Sequence, residues 1–137
     1  EIDGLQNTRW EEVSSSFEST WSKVLLLMSA EGTKILFIDK SSGLLRASLP
    51  IDRSDVYTYY YQCRPPGTVA SITSTISVVV QEVSNDRSKI IINSKGVIES
   101  YRNRKLIFIN TSKIIEYNNC DSTGEYEKRL LQSLSKF

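Results

Sequence analysis

The sequence predicts an α+β domain: a curved antiparallel sheet of about six strands packed on an N-terminal helix, with a C-terminal helix. Three observations carry that prediction. Phe17, Trp21, Val24, Leu25 and Met28 fall at helical spacing, and Gly32 then hands over to a strand–turn–strand pattern. Residues 68–83 alternate apolar and polar side chains over an unusual length. Ser122, Thr123, Gly124 and Glu125 spell a capping box ahead of a second helical stripe.

Residues 1–8 show no periodicity and read as a leader or linker, leaving 9–137 as a single domain. The first helix is expected to start between Trp10 and Ser16 and to end near Glu31 and Gly32, with an apolar stripe of Trp10, Val13, Phe17, Trp21, Val24 and Met28. Residues 34–39 follow as a strand apolar on both faces, Ile35 and Phe37 on one and Leu36 and Ile38 on the other, as a central strand requires. Residues 39–43 form the turn, and the returning strand over 43–49 is expected to stop at Pro50.

Residues 56–62 are rich in tyrosine and end at Cys63, before Arg64-Pro65-Pro66-Gly67, which cannot continue a ladder. In the long strand that follows, Ala70, Ile72, Ser74, Ile76, Val78 and Val80 share one face, with Ser71, Thr73, Thr75 and Ser77 opposite. A turn over 85–88 leads to a strand over 89–93. Gly96 and the polar run Arg102-Asn103-Arg104-Lys105 suggest an excursion before residues 106–109, and 113–117 is a last strand or an extended lead-in. In the final helix Ser122 is expected to accept from a backbone N–H three residues on, and Tyr126, Leu130, Leu134 and Phe137 form the stripe.

The chain has 137 residues, 17 basic and 16 acidic, a net charge of +1, and no histidine. This balance provides no long-range field to gather nucleic acid or anionic lipid. The missing histidine removes His-based triads and most zinc sites, so neither a cofactor nor a metal is expected. No apolar run approaches the roughly 20 residues of a membrane span. Cys63 and Cys120 each follow a strand-like run and precede turn residues, so they are expected to meet at one end of the sheet. Bridged, they close a loop of about 57 residues worth about 4 kcal/mol and point to an exported protein. The alternative is two thiols in a reducing cytosol.

The elements Phe17-x-x-x-Trp21-x-x-Val24, Gly32-x-Lys34-Ile35, Asp39-x-x-x-Gly43-Leu44-Leu45 and Cys120-Asp121-Ser122-Thr123-Gly124-Glu125 resemble those of small bacterial envelope lipoproteins. The same outline resembles the helix-grip domains of the lipoprotein C subunit of the outer-membrane β-barrel assembly machinery. The resemblance implies an exported, lipid-anchored domain of the periplasm, attached to the outer membrane through an anchor not in this chain. It also implies a scaffolding or accessory role toward envelope protein partners, with no catalytic site.

Few residues offer chemistry. Asp52, Asp55 and Glu82 are read as solvated loop charges, since nothing holds them at the separation that glycosidases need. Asn110-Thr111-Ser112 is a glycosylation triplet without meaning in a bacterial envelope. Two candidate interaction surfaces remain. Tyr57, Tyr59 and Tyr61 lie on one side of the tyrosine strand, with Tyr60 opposite. Tyrosine suits an interface because it offers apolar area with a polar tip. Arg102, Arg104 and Lys105, beside Tyr101, form the basic cluster. A second functional reading is a soluble module that binds a small apolar ligand between the first helix and the sheet.

Overall fold

The computed structural model describes residues 9–51, 60–63, 68–106 and 109–135. The expected leader, Asp52, Asp55, Tyr57, Tyr59 and Phe137 lie outside the described residues. The elements run β1 (Arg9–Val13), α1 (Phe17–Ala30), β2 (Lys34–Asp39), β3 (Leu44–Ile51), β4 (Tyr61–Gln62), β5 (Thr68–Ser84), β6 (Arg87–Leu106), β7 (Ile109–Ser122) and α2 (Glu125–Leu134). All pairings are antiparallel, in the order β2-β3-β5-β6-β7-β4, with β1 also on β6. The α+β class, the antiparallel sheet and the helix at each end match the sequence expectation.

The long β5–β6 hairpin is the spine. Its alternation places Ile72, Ser74, Ile76, Val78 and Val80 on one face, with Ile90, Ile92, Ser94 and Ile98 beside them on β6. The two helices lie on this face. α1 packs on β5, β6 and α2, and α2 packs on β6, β1 and α1. The main core joins Trp21, Val24, Leu27 and Met28 of α1 and Tyr126, Leu130 and Leu134 of α2 to Leu45, Ala47 and the spine residues. A smaller cluster gathers Tyr61, Ile72, Ile98 and Cys120 around the Cys63–Cys120 disulfide, whose Cα atoms are 4.8 Å apart.

Several elements differ from the sequence expectation. The helix starts at Phe17, with Ser16 as its cap: the Ser19 N–H donates to Ser16 Oγ at 3.2 Å. Trp10 and Val13 therefore belong to β1, which pairs with Ser88–Ile92 of β6. Residues 9–13 fit either period, and an available strand edge decided the outcome. Trp10 is exposed, and Lys89 Nζ sits 4.4 Å above its ring.

Pro50 does not end β3, which runs on to Ile51. The last β2 partner is Lys34 opposite Ser48, so beyond that point the β2 side of β3 needs no N–H donor and proline is tolerated. The excursion expected around Arg102–Lys105 is instead the far end of β6, a continuous strand of 20 residues. At the start of α2, the cap residue is Gly124, at φ +88°, with no side-chain cap bond. Ser122 is buried and turns inward instead.

Candidate interaction surface

The sheet is covered unevenly, and that unevenness defines the site. β2 ends the strand order, and among the described residues nothing pairs with its outer edge. The helices pack chiefly over β5, β6 and β1, away from it. Four consecutive large apolar side chains are left in solvent: Ile35 is 41% exposed, Leu36 53%, Phe37 48% and Ile38 48%. Such a row beside unpaired backbone N–H and C=O groups is a template for another strand.

The strand is held in place from both ends. Before it, Gly32 takes φ +77°, and the Thr33 N–H and hydroxyl both donate to the Met28 carbonyl, at 3.2 and 2.9 Å. After it, Asp39 Oδ1 accepts from the Ser41 N–H at 3.2 Å and its hydroxyl at 2.7 Å. Hydrogen bonds from Ser41 first, and then Ser42, hold the Asp39 carboxyl below its ordinary value, so it is an anion at neutral pH. Gly43 closes the turn at φ +71° against the backbone of Val80, whose N–H donates to the Gly43 carbonyl at 2.8 Å. A Cβ at this position would collide with the Val80 carbonyl oxygen.

A bulge divides β2. Ile35 pairs with Ala47, but the next pair is Phe37 with Arg46, leaving Leu36 as the extra residue. Directly opposite residues share a face. Ile35 and Ile38, opposite Ala47 and Leu45, therefore lie on the helix side, while Lys34, Phe37 and Asp39 lie on the other. This corrects both the face assignment read from strict alternation and the expectation of a buried central strand.

The second polar feature is buried. Glu127 on α2 is fully enclosed. Its Oε1 accepts from Ser94 Oγ at 2.8 Å, and Ser122 Oγ lies 2.7 Å from Oε2. Ser122 Oγ in turn accepts the Gly124 N–H at 3.0 Å. Nearby, the hydroxyls of Tyr61 and Ser74 are hydrogen bonded to each other. Among the described residues β1 pairs with β6 as far as Ile92 and β7 pairs with it from Gly96 onward, and Ser94 lies between the two pairings. At the other end of α1, Glu31 pairs with Arg129 and accepts the Tyr126 hydroxyl at 3.4 Å. Burial, and then the Glu31 carboxylate, push the Tyr126 phenol far above its ordinary value; burial also raises that of Tyr61. Both constellations link secondary-structure elements internally.

Of the expected interaction residues, Tyr61 proves to be a core residue: its ring lies against Gly96 and its hydroxyl on Ser74. It is buried, so it offers no surface to a partner. Tyr60 stacks at a tilt on Tyr126, with ring centroids 5.0 Å apart. The backbone of Arg102 and Arg104 pairs with Ile114 and Ser112 at the far end of the β6–β7 hairpin, and Lys105 falls in the same strand end, well away in sequence register from β2. Among the described residues, neither Tyr61 on β4 nor the end of β6 that carries the basic set pairs with β2.

The space between α1 and the sheet is filled by Trp21, Val24, Leu27 and Met28. A shallow groove lies instead at the start of α1, lined by Phe17, Glu18, Lys40, Gly43, Val80 and Glu82, and Lys40 and Glu18 pair across it at 2.7 Å. Among the described residues there is no cluster of three metal-ligating side chains, and no helix is long and apolar enough to cross a membrane.

No protein-family model matches the chain, and no curated protein matches it. Among solved structures, it is similar to a DUF4468 family protein from Bacteroides ovatus at 10% identity and a TM-score of 0.39. That similarity covers 84% of this chain and 63% of the other. A likeness at this level carries no functional argument.

Proposed function

We propose that this chain is a non-enzymatic interaction domain of the bacterial cell envelope and that it docks through the free edge of β2. The observation that carries this reading is the run Ile35-Leu36-Phe37-Ile38, left in solvent on a sheet edge that is unpaired among the described residues. Large apolar groups on an edge strand are an aggregation hazard unless a partner covers them. Strand addition suits the arrangement, since main-chain hydrogen bonds supply affinity and side chains supply selectivity.

The Cys63–Cys120 disulfide supports an oxidising compartment. The resemblance to envelope lipoproteins supports the periplasm and a lipid anchor holding the domain at the outer membrane.

A photoreactive residue at position 37, carried by the exported protein in living cells, tests the reading. The expected result is efficient crosslinking at 37 and none at position 132, on the exposed side of α2. A bare position 37 would defeat the docking role. Free thiols at Cys63 and Cys120 in freshly alkylated cells would defeat the compartment.

A further inference from the structure

The identity of the occupant follows from the charges at the two ends of the edge. In a regular strand, residues three apart point to opposite faces. In β2, the bulge at Leu36 puts Ile35 and Ile38 on the same face, and Lys34 and Asp39 together on the other. The regular strand β3 meets both halves in phase by leaving Leu36 as the extra residue, so what distinguishes an occupant of the outer edge is charge: Lys34 at one end and Asp39 at the other, on one face.

A second copy supplies the complementary ends and carries the same bulge. Rotated about a two-fold axis between Leu36 and Phe37, it sets Ile35 opposite the partner subunit's Ile38, and Lys34 opposite the partner subunit's Asp39. Both pairs are same-faced, and each occurs twice. The ends then match in charge, ammonium against carboxylate, while the centre is wholly apolar.

We infer that the β2 edge binds a second copy of this chain as an antiparallel β2–β2 pair centred between Leu36 and Phe37, an inference that rests on the docking role proposed for that edge. The pairing joins two sheets into one and sets the two exposed apolar runs against each other across the seam. The contact is one short strand wide, so the dimer is weak and concentration-dependent.

Sedimentation equilibrium of the full chain, from about 10 μM to about 1 mM, reads the association directly. The expected result is a reversible monomer–dimer equilibrium. Lys34→Asp alone and Asp39→Lys alone each create two like-charge pairs, and each weakens the dimer about tenfold. Mixed in equal amounts, the two variants recover the wild-type affinity, because the mixed dimer has opposite charges at both ends.

Asp39→Lys also removes the hydrogen bonds from Ser41, so a second measurement stands independently of it. Chains with Ile35→Cys and chains with Ile38→Cys form an intermolecular disulfide when mixed and oxidised, and neither forms it alone. A chain monomeric throughout, a dimer indifferent to Lys34→Asp, or cysteine variants that link only to themselves would overturn the inference. A monomer that crosslinks from position 37 to a different protein would overturn the second copy while keeping the docking role. No crosslink at all would remove both.

Discussion

The helix-covered face of this sheet holds two sets of aliphatic residues with opposite fates. Val78 and Ile92 on the spine are fully buried, whereas Ile35 and Ile38 on β2, facing the same side, are nearly half exposed. Residue type does not separate them. Coverage does: α1 and α2 lie over β5, β6 and β1 and leave the β2 end of the face open. The spine is a core because helices bury it, and the edge becomes a surface because they do not.

The largest expected effect falls on the covered region. Reducing the Cys63–Cys120 disulfide, which spans 57 residues of sequence, should cost about 4 kcal/mol of unfolding free energy if chain entropy dominates. Denaturant titration with and without reductant measures it. Ile92→Ala comes next, at about 3 kcal/mol, because the site is enclosed and cannot collapse without disturbing both helices. An Ile92→Ala loss no greater than that of an edge substitution would erase the distinction between the two regions.

Gly43→Ala probes the junction between them. It forces a side chain into a positive-φ position against the Val80 carbonyl, and about 2 kcal/mol should be lost. The variant should also loosen the β2–β3 turn, seen as faster amide exchange there.

Alkaline pH tests the buried phenols. Tyr61 and Tyr126 have folded-state values above the unfolded value of 10.0, so the folded chain keeps protons that the unfolded chain releases. Their contribution is fully present below pH 10 and is lost as pH rises above it, by up to about 1.4 kcal/mol per pH unit for each phenol. Tyr126→Phe should flatten that decline.

The smallest effect belongs to the edge. Ile38→Ala should cost the dilute monomer about 1 kcal/mol, because nearly half of the residue is already in water. A loss as large as that of Ile92→Ala would mean that the edge is covered by its own chain.

Much of the fold was legible in the sequence because its signals are local. The alternation from Ile72 to Val80, the stripe Trp21–Val24–Met28 and the turn at Asp39–Gly43 each specify one element without help from the rest. The disulfide was legible from two cysteines at the ends of strand-like runs. The failures occurred where neighbours decide. Arg9–Val13 became a strand because β6 offered an edge, and Pro50 was tolerated because β2 begins at Lys34, opposite Ser48, and does not reach it. Tyr61 was drawn into the core by the space above Gly96. The run Ile35–Ile38 looks the same whether a strand is central or marginal, and only the order of strands made it a surface.

The direct test of the whole account is amide hydrogen exchange of the native protein, at low and at high concentration. β5 and β6 should exchange slowly at both. The β2 amides that point away from β3 should exchange rapidly in dilute solution and become protected on concentration. β2 amides already as slow as those of β6 when dilute, or unchanged by concentration, would contradict it.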